Sequence, residues 1–221
     1  MPRNQITVAA TAAMVLLLAA PNLRASMFGL DLTASALNTI VLDESLDDLI
    51  FLSVNTGFVD NGLGSSGQAF ASANLATGEI KISGQHSGVN QAAGSSGLLF
   101  DTLNFALPIG MPSASITATL AVTGTFSDGT QPVGQDILPG GNALIQIGSE
   151  LGGAETGGGF VPLVGFIPGM FSATMLVTPA TGDVRVTASL HGVAIGENWY
   201  NLTNTAAVGL TVPDGVTFTS G

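Results

Sequence analysis

The sequence predicts an all-β protein, an antiparallel β-sandwich of about nine to eleven strands joined by Gly/Ser-rich loops. Three observations carry that expectation. Apolar and hydroxyl-bearing residues alternate with a period of two, most cleanly over 113–126, where Ile116, Ala118, Leu120, Val122 and Phe126 share one face and Thr117, Thr119, Thr123 and Thr125 the other. Thirty glycines punctuate such runs, several within turn signals such as Asp60-Asn61-Gly62 and Pro213-Asp214-Gly215. No long stretch has the three-to-four spacing of an amphipathic helix.

In chain order, Arg3 precedes an apolar run over 6–20, and Leu23-Arg24-Ala25 ends on a small residue before Ser26. That is the layout of a cleaved export signal over residues 1–25. The run is shorter than the roughly 20 apolar residues a membrane-spanning helix needs, so the mature chain is expected to have no membrane span. Residues 26–221 then form a single β-sandwich domain.

Residues 28–40 are mixed in pattern. Asp43, Glu44, Asp47 and Asp48 follow, set among Leu42, Leu46 and Leu49 at helical spacing, which predicts a short helix or a loop with one turn before a strand over 51–54. Residues 57–67 read as a turn-rich loop. Gly62, Gly64 and Gly67 there fit the dinucleotide spacing GxGxxG, but Ala69, Ala71, Ala73 and Leu75 alternate behind it, so a strand stands where that fingerprint needs a helix. Thr77-Gly78 closes a hairpin into Ile80 and Ile82. A near copy, Thr181-Gly182 before Val184 and Val186, predicts a second hairpin. Each copy sets a base two residues after an acid, Glu79 with Lys81 and Asp183 with Arg185, as a solvated pair. Residues 84–97 read as a second Gly/Ser loop. Strands are expected over 98–105, 113–126, 143–147, 171–177, 184–190, 206–212 and 216–218, and a loop over 148–159. Residues 160–167 are apolar on both faces, with Pro162 and Pro168 marking a buried or edge segment.

Charge and composition exclude whole classes of function. Arg3 and Arg24 lie in the leader, which leaves Lys81 and Arg185 against fifteen acidic residues, a formal charge of −13. Such a chain has almost nothing with which to neutralise phosphates, so nucleic acid and anionic lipid are excluded as partners. It has no cysteine, hence no disulfide, thiol nucleophile, iron–sulfur cluster or cysteine zinc site.

No motif identifies a reaction. There is no GxSxG elbow, and His86 and His191, each shortly after a Thr-Gly turn, lack the HxH or HExxH spacing of ligands. Equivalent places in a duplicated unit would let them share a metal; otherwise they are histidines near strand ends. The aromatic pair Trp199 and Tyr200, with Asn198 beside it, has the chemistry to stack on a sugar face and hydrogen-bond its hydroxyls, and a lone Trp of this kind also serves to plug the end of a sandwich. The run Asp43, Glu44, Asp47 and Asp48 is the calcium candidate, since hard cations want several carboxylate oxygens together. It lacks the glycine and alternating acids of an EF-hand loop, and solvated acidic surface is the other reading. No other cofactor is expected, and no enzymatic activity.

The block Gln68-Ala69-Phe70-Ala71-Ser72-Ala73-Asn74-Leu75-Ala76-Thr77-Gly78-Glu79-Ile80-Lys81, the later Phe100-Asp101-Thr102-Leu103-Asn104-Phe105, the strand over 116–126 and the ending Leu210-Thr211-Val212-Pro213-Asp214-Gly215-Val216-Thr217-Phe218-Thr219-Ser220-Gly221 resemble secreted bacterial proteins of the PEP-CTERM type. The resemblance spans most of the mature chain through loose motifs. It implies an exported β-rich protein, secreted or at the cell surface of a Gram-negative bacterium and associated with biofilm or extracellular polysaccharide, and it implies no catalytic residues. The Pro-Glu-Pro motif, apolar helix and basic end of that sorting signal do not occur in these 221 residues, so the resemblance is to the ectodomain. The expected function is that of a non-catalytic surface or extracellular-matrix protein whose partners are extracellular polysaccharide or copies of itself. One alternative is a carbohydrate-binding module using Trp199 and Tyr200, calcium-dependent if the acidic run holds the ion. Another is a structural β protein that self-assembles through strand edges poor in lysine.

Overall fold

The computed structural model describes residues 28–46, 51–88, 91–127, 140–149, 154–155 and 169–220. They form fourteen strands: β1 (Phe28–Ala36), β2 (Thr39–Leu46), β3 (Phe51–Asn55), β4 (Val59–Asp60), β5 (Ser66–Asn74), β6 (Glu79–Ser87), β7 (Ala92–Ala106), β8 (Ala114–Phe126), β9 (Gly140–Ser149), β10 (Ala154–Glu155), β11 (Gly169–Val177), β12 (Val184–Ile195), β13 (Asn198–Thr211) and β14 (Thr217–Ser220). Every pairing is antiparallel. Among the described residues no helix is long and apolar enough to cross a membrane. The leader read at 1–25 lies outside the described residues, as do Asp47, Asp48 and the apolar segment 160–167.

The strands make two sheets of seven. Sheet I runs β10-β9-β12-β7-β1-β2, with β14 also on β7; sheet II runs β11-β8-β13-β6-β5-β3, with β4 on β5. Alternation dictates which side of each sheet meets the other. In β8, Ile116, Ala118, Leu120 and Val122 are fully buried while the threonines between them face out. β12 repeats this with Val184, Val186, Ala188 and Leu190. Leu32, Ile80, Ile82, Ile145, Ile147 and Leu202 complete a dry aliphatic layer between the sheets. Each such side chain contributes about 1.5–3 kcal/mol by leaving water. First and last strands share sheet I: β14 lies in line with β1 along one edge of β7, Ser220 opposite Leu103 and Phe28 opposite Asp101.

The structure corrects four local expectations. The strand count exceeds eleven because β1 and β2 form where the sequence pattern is mixed or acidic, and because β4 and β10 are only two residues long, too short to display alternation. The described part of the acidic run is no helix; Thr39–Leu46 is β2, paired residue by residue with β1. Pairing with a neighbouring strand outweighed the leucine spacing. Most of the Gly/Ser stretch 84–97 is strand as well, split between β6 and β7. The second Thr-Gly turn does not close a hairpin: β11 belongs to sheet II and β12 to sheet I, so it crosses between sheets. The first does close β5 onto β6, with Gly78 at a φ of 66° that a left-handed turn position requires.

Candidate functional site

Trp199 stands on the outer face of sheet II with 44% of its surface exposed. Its backbone is held at both polar atoms: Trp199 N donates to Ser127 Oγ at 2.8 Å, and Ser127 N donates to Trp199 O at 2.9 Å. The turn before it carries the chain from β12 in sheet I to β13 in sheet II. Three polar contacts, two of them buried, pin that turn. Asn198 Nδ2 donates to Ile195 O, Ser127 Oγ donates to Asn198 Oδ1 at 3.0 Å, and His86 Nδ1 lies 2.8 Å from Gly196 O. A carbonyl only accepts, so Nδ1 carries a proton, and His86 Nε2 is buried with no hydrogen-bond partner among the described residues. Glu197 ties the neighbouring loop, accepting from Ser87 Oγ at 3.0 Å and from Gly88 N at 2.9 Å.

Strand alternation separates the residues proposed to share a sugar. Tyr200 and Asn198 lie on the inner side of β13, each 1% exposed, while Trp199 between them faces out. Tyr200 is a pillar of the core. A Cβ added at Gly84 or at Gly192 would sit 2.5 Å from its ring, so glycines on both sheets make the slot it fills. Its hydroxyl lies 2.7 Å from Ser95 Oγ on β7, joining the sheets, and its ring stacks on Phe126 at 6.0 Å. Burial pushes the phenol above its ordinary range, the Ser95 hydrogen bonds opposing in part. Tyr200 and Asn198 therefore position Trp199 and are not available to a ligand.

The residues that do surround Trp199 come from other strands. One row across sheet II pairs Trp199 with Gln85 and Gln85 with Gln68; the next pairs Asn201 with Ser83, Ser83 with Phe70 and Phe70 with Asn55, and Asn201 also meets Thr125. Together they floor a shallow depression of about 380 Å³. Its one titratable lining residue is the buried Tyr200. A smaller depression of about 250 Å³ lies on the other side of Trp199, toward Ser66, Ser87 and Glu197. β13 shifts register just beyond, between Asn201 and Thr205 against β8. Within this irregularity Thr203 donates its N–H at 3.0 Å and its hydroxyl at 2.6 Å to Asn201 Oδ1. Asn201 is thus held in one orientation with Nδ2 as its remaining polar group, a common use of a bulge beside a site. Half of this was readable: the alanines at 69, 71 and 73 imply that Gln68 and Phe70 face the other way. Which strands lie beside Trp199 was not.

Among the described residues the acidic and histidine candidates do not converge. Asp43 and Glu44 are consecutive in β2 and project from opposite sides, Asp43 opposite Leu32 and Glu44 opposite Asp31. Among the described residues no three His, Cys, Asp or Glu side chains are grouped to hold a metal. His86 sits in β6 of sheet II opposite Asn198, whereas His191 sits in β12 of sheet I between Ser96 and Asn142, where burial lowers its pKa. The Gly62–Gly67 spacing forms a turn built on Asp60 and Asn61, whose Oδ1 atoms accept from Gly62 N and Leu63 N at 2.7 Å each, and β5 follows it.

No family model matches the chain, and no curated protein does. Among solved structures, the enzymatically active domain of bacteriophage CBA120 tailspike protein 4 is similar at 11% identity and a TM-score of 0.29, over 84% of this chain and 20% of that one. A likeness so slight carries neither fold nor function across. What the strands themselves define is a two-sheet, all-β protein with one aromatic, amide-lined outer face.

Proposed function

We propose that this chain is an exported, non-catalytic surface or matrix protein of the PEP-CTERM type, made by a Gram-negative bacterium, and that it holds extracellular polysaccharide on the outer face of sheet II. The observation that carries the reading is Trp199, fixed by Ser127 and half-exposed amid Gln68, Gln85, Asn55 and Asn201. An aromatic ring supplies the apolar platform for the C–H face of a sugar, and side-chain amides supply donors and acceptors for its hydroxyls. Export rests on the leader at 1–25. The non-catalytic character rests on the sequence, in which no motif identifies a reaction.

The test is co-sedimentation of the chain from Ser26 onward with the producer's extracellular polysaccharide, with calcium and with chelator. Saturable binding that Trp199→Ala removes is expected, in both conditions. Binding that Trp199→Ala leaves intact overturns the site, and binding lost to chelator would return the acidic residues to the account.

Self-assembly is the second reading, and β11 favours it. This nine-residue strand ends sheet II among the described residues, carries no charge, and leaves Met170 and Leu176 more than half exposed. Edges of that kind template pairing between chains. Light scattering that shows only monomer across a concentration series would remove it.

A further inference from the structure

The class of glycan and the way it lies follow from the same face, and rest on the polysaccharide reading above. Across the six long strands of sheet II the formal charges are Glu79 and Lys81, which pair with each other at 3.2 Å. The larger depression beside Trp199 holds none, and the charges nearest it, Glu197 lining the smaller depression and Asp60 on β4 opposite Ser66, are both negative. On a chain of formal charge −11 this neutral ground is where a polyanion gains nothing and the surrounding field repels it. The polar groups present are amides and hydroxyls, each able to donate and accept, as a sugar hydroxyl does.

The aromatic residues set the length. Trp199 on β13 and Phe70 on β5 face out with β6 between them, and pairing places Phe70 one row beyond Trp199: Trp199 opposite Gln85, Phe70 opposite Ser83. Two strand spacings and two residues of rise separate them by about 12 Å along a diagonal. Gln85 and Ser83 occupy the interval, and Asn55 extends it past Phe70.

We infer that the outer face of sheet II takes an uncharged, extended glycan laid obliquely across the strands, with Trp199 under one ring, Gln85 and Ser83 beneath the next, and Phe70 under the one after. The binding frame is about three rings, polar at the centre and apolar at both ends. No ion pair forms, so affinity is independent of salt.

The experiment divides the producer's extracellular polysaccharide into neutral and acidic pools, grades each by fragment length, and titrates them into the chain by calorimetry. It is run at about 0.02 M and about 0.5 M salt, between which the screening length falls from about 20 Å to about 4 Å. The neutral pool is expected to bind, at least tenfold more tightly at three rings than at one, with no further gain beyond about four and less than a twofold change with salt. Phe70→Ala should abolish the gain with length while single-ring binding survives, and Trp199→Phe should retain part of the affinity that Trp199→Ala loses. Melting curves identify any variant that fails to fold. Preference for the acidic pool, or weakening by salt, overturns the uncharged class. Equal affinity for short and long fragments overturns the two-platform frame. Failure of both pools to bind removes the polysaccharide reading itself.

Discussion

The two outer faces of this sandwich have nothing in common except the core they enclose. The outer face of sheet I carries Asp31, Glu44 and the guanidinium of Arg185, whose Cζ sits 4.5 Å over the Phe100 ring, while Asp43 and Asp101 share the inner side with Leu32 and Val186. Asp31 and Glu44 stand directly opposite each other on β1 and β2. Sheet II has one balanced ion pair, Asp60 on the short β4, a row of threonines on β8 and the amide ground around Trp199. At their centres both inner faces are the same aliphatic alternation, because packing permits little else; the outer faces are free of that demand and diverge. Like charges opposed on β1 and β2 cost stability and also keep another strand from adding at β2. The teaching is that in such a fold the binding chemistry is to be sought on the face where charge has been withdrawn.

The sharpest way to break the comparison is through the interior both faces share. Gly192→Val puts side-chain atoms into the Tyr200 ring and should lower stability by about 3 kcal/mol, read by denaturant melting, with glycan binding lost alongside. Trp199→Ala, one residue away in β13 but on the other side, should abolish glycan binding and change stability by less than about 1 kcal/mol. If the two variants behaved alike, the division between supporting core and binding face would fail.

The acids of sheet I are tested by pH. Burial first, and the charge of Glu44 second, hold the Asp31 carboxyl above its ordinary pKa. The folded state therefore binds that proton more tightly than the unfolded chain does. The resulting stability is fully present below about pH 4 and is lost as pH rises through the raised value. Asp101, raised by burial against the opposing hydrogen bonds of Ser220 and Thr102, adds with the same sign. Melting temperatures should thus fall between mildly acidic and neutral pH, and Asp31→Asn should flatten that slope and raise the neutral value. A steeper slope in the variant would contradict the assignment. At the small end, Lys81→Ala breaks a half-exposed ion pair on sheet II and should move stability by no more than about 0.5 kcal/mol.

The sandwich class was legible because β8 and β12 alternate without interruption, and alternation is a local property. Topology was not, and the duplicated Ala-Thr-Gly segment gives the reason. Residues 76–82 and 180–186 repeat one local pattern, yet the first closes a hairpin and the second carries the chain from sheet II to sheet I. A turn sequence sets how the backbone reverses; which sheet receives the next strand depends on partners far away in the chain. The Gly/Ser stretch misled for a related reason. Gly84 reads as loop, but it is a strand residue kept small by the Tyr200 ring against it. The candidate site was half legible: Trp199 was found from its side-chain chemistry, and Tyr200 and Asn198 were grouped with it by adjacency, which in a strand places them on the wrong side. Gln85, Phe70 and Asn55 reach Trp199 only through the pairing of β13, β6, β5 and β3.

The most direct measurement uses the fact that Trp199 is the one tryptophan of the chain. Its emission reports on the proposed platform alone. Titration with the neutral pool of the producer's polysaccharide is predicted to shift and saturate that emission at the same concentrations at which the glycan co-sediments with the protein. Co-sedimentation with the emission unchanged would place binding elsewhere on the surface and contradict the account.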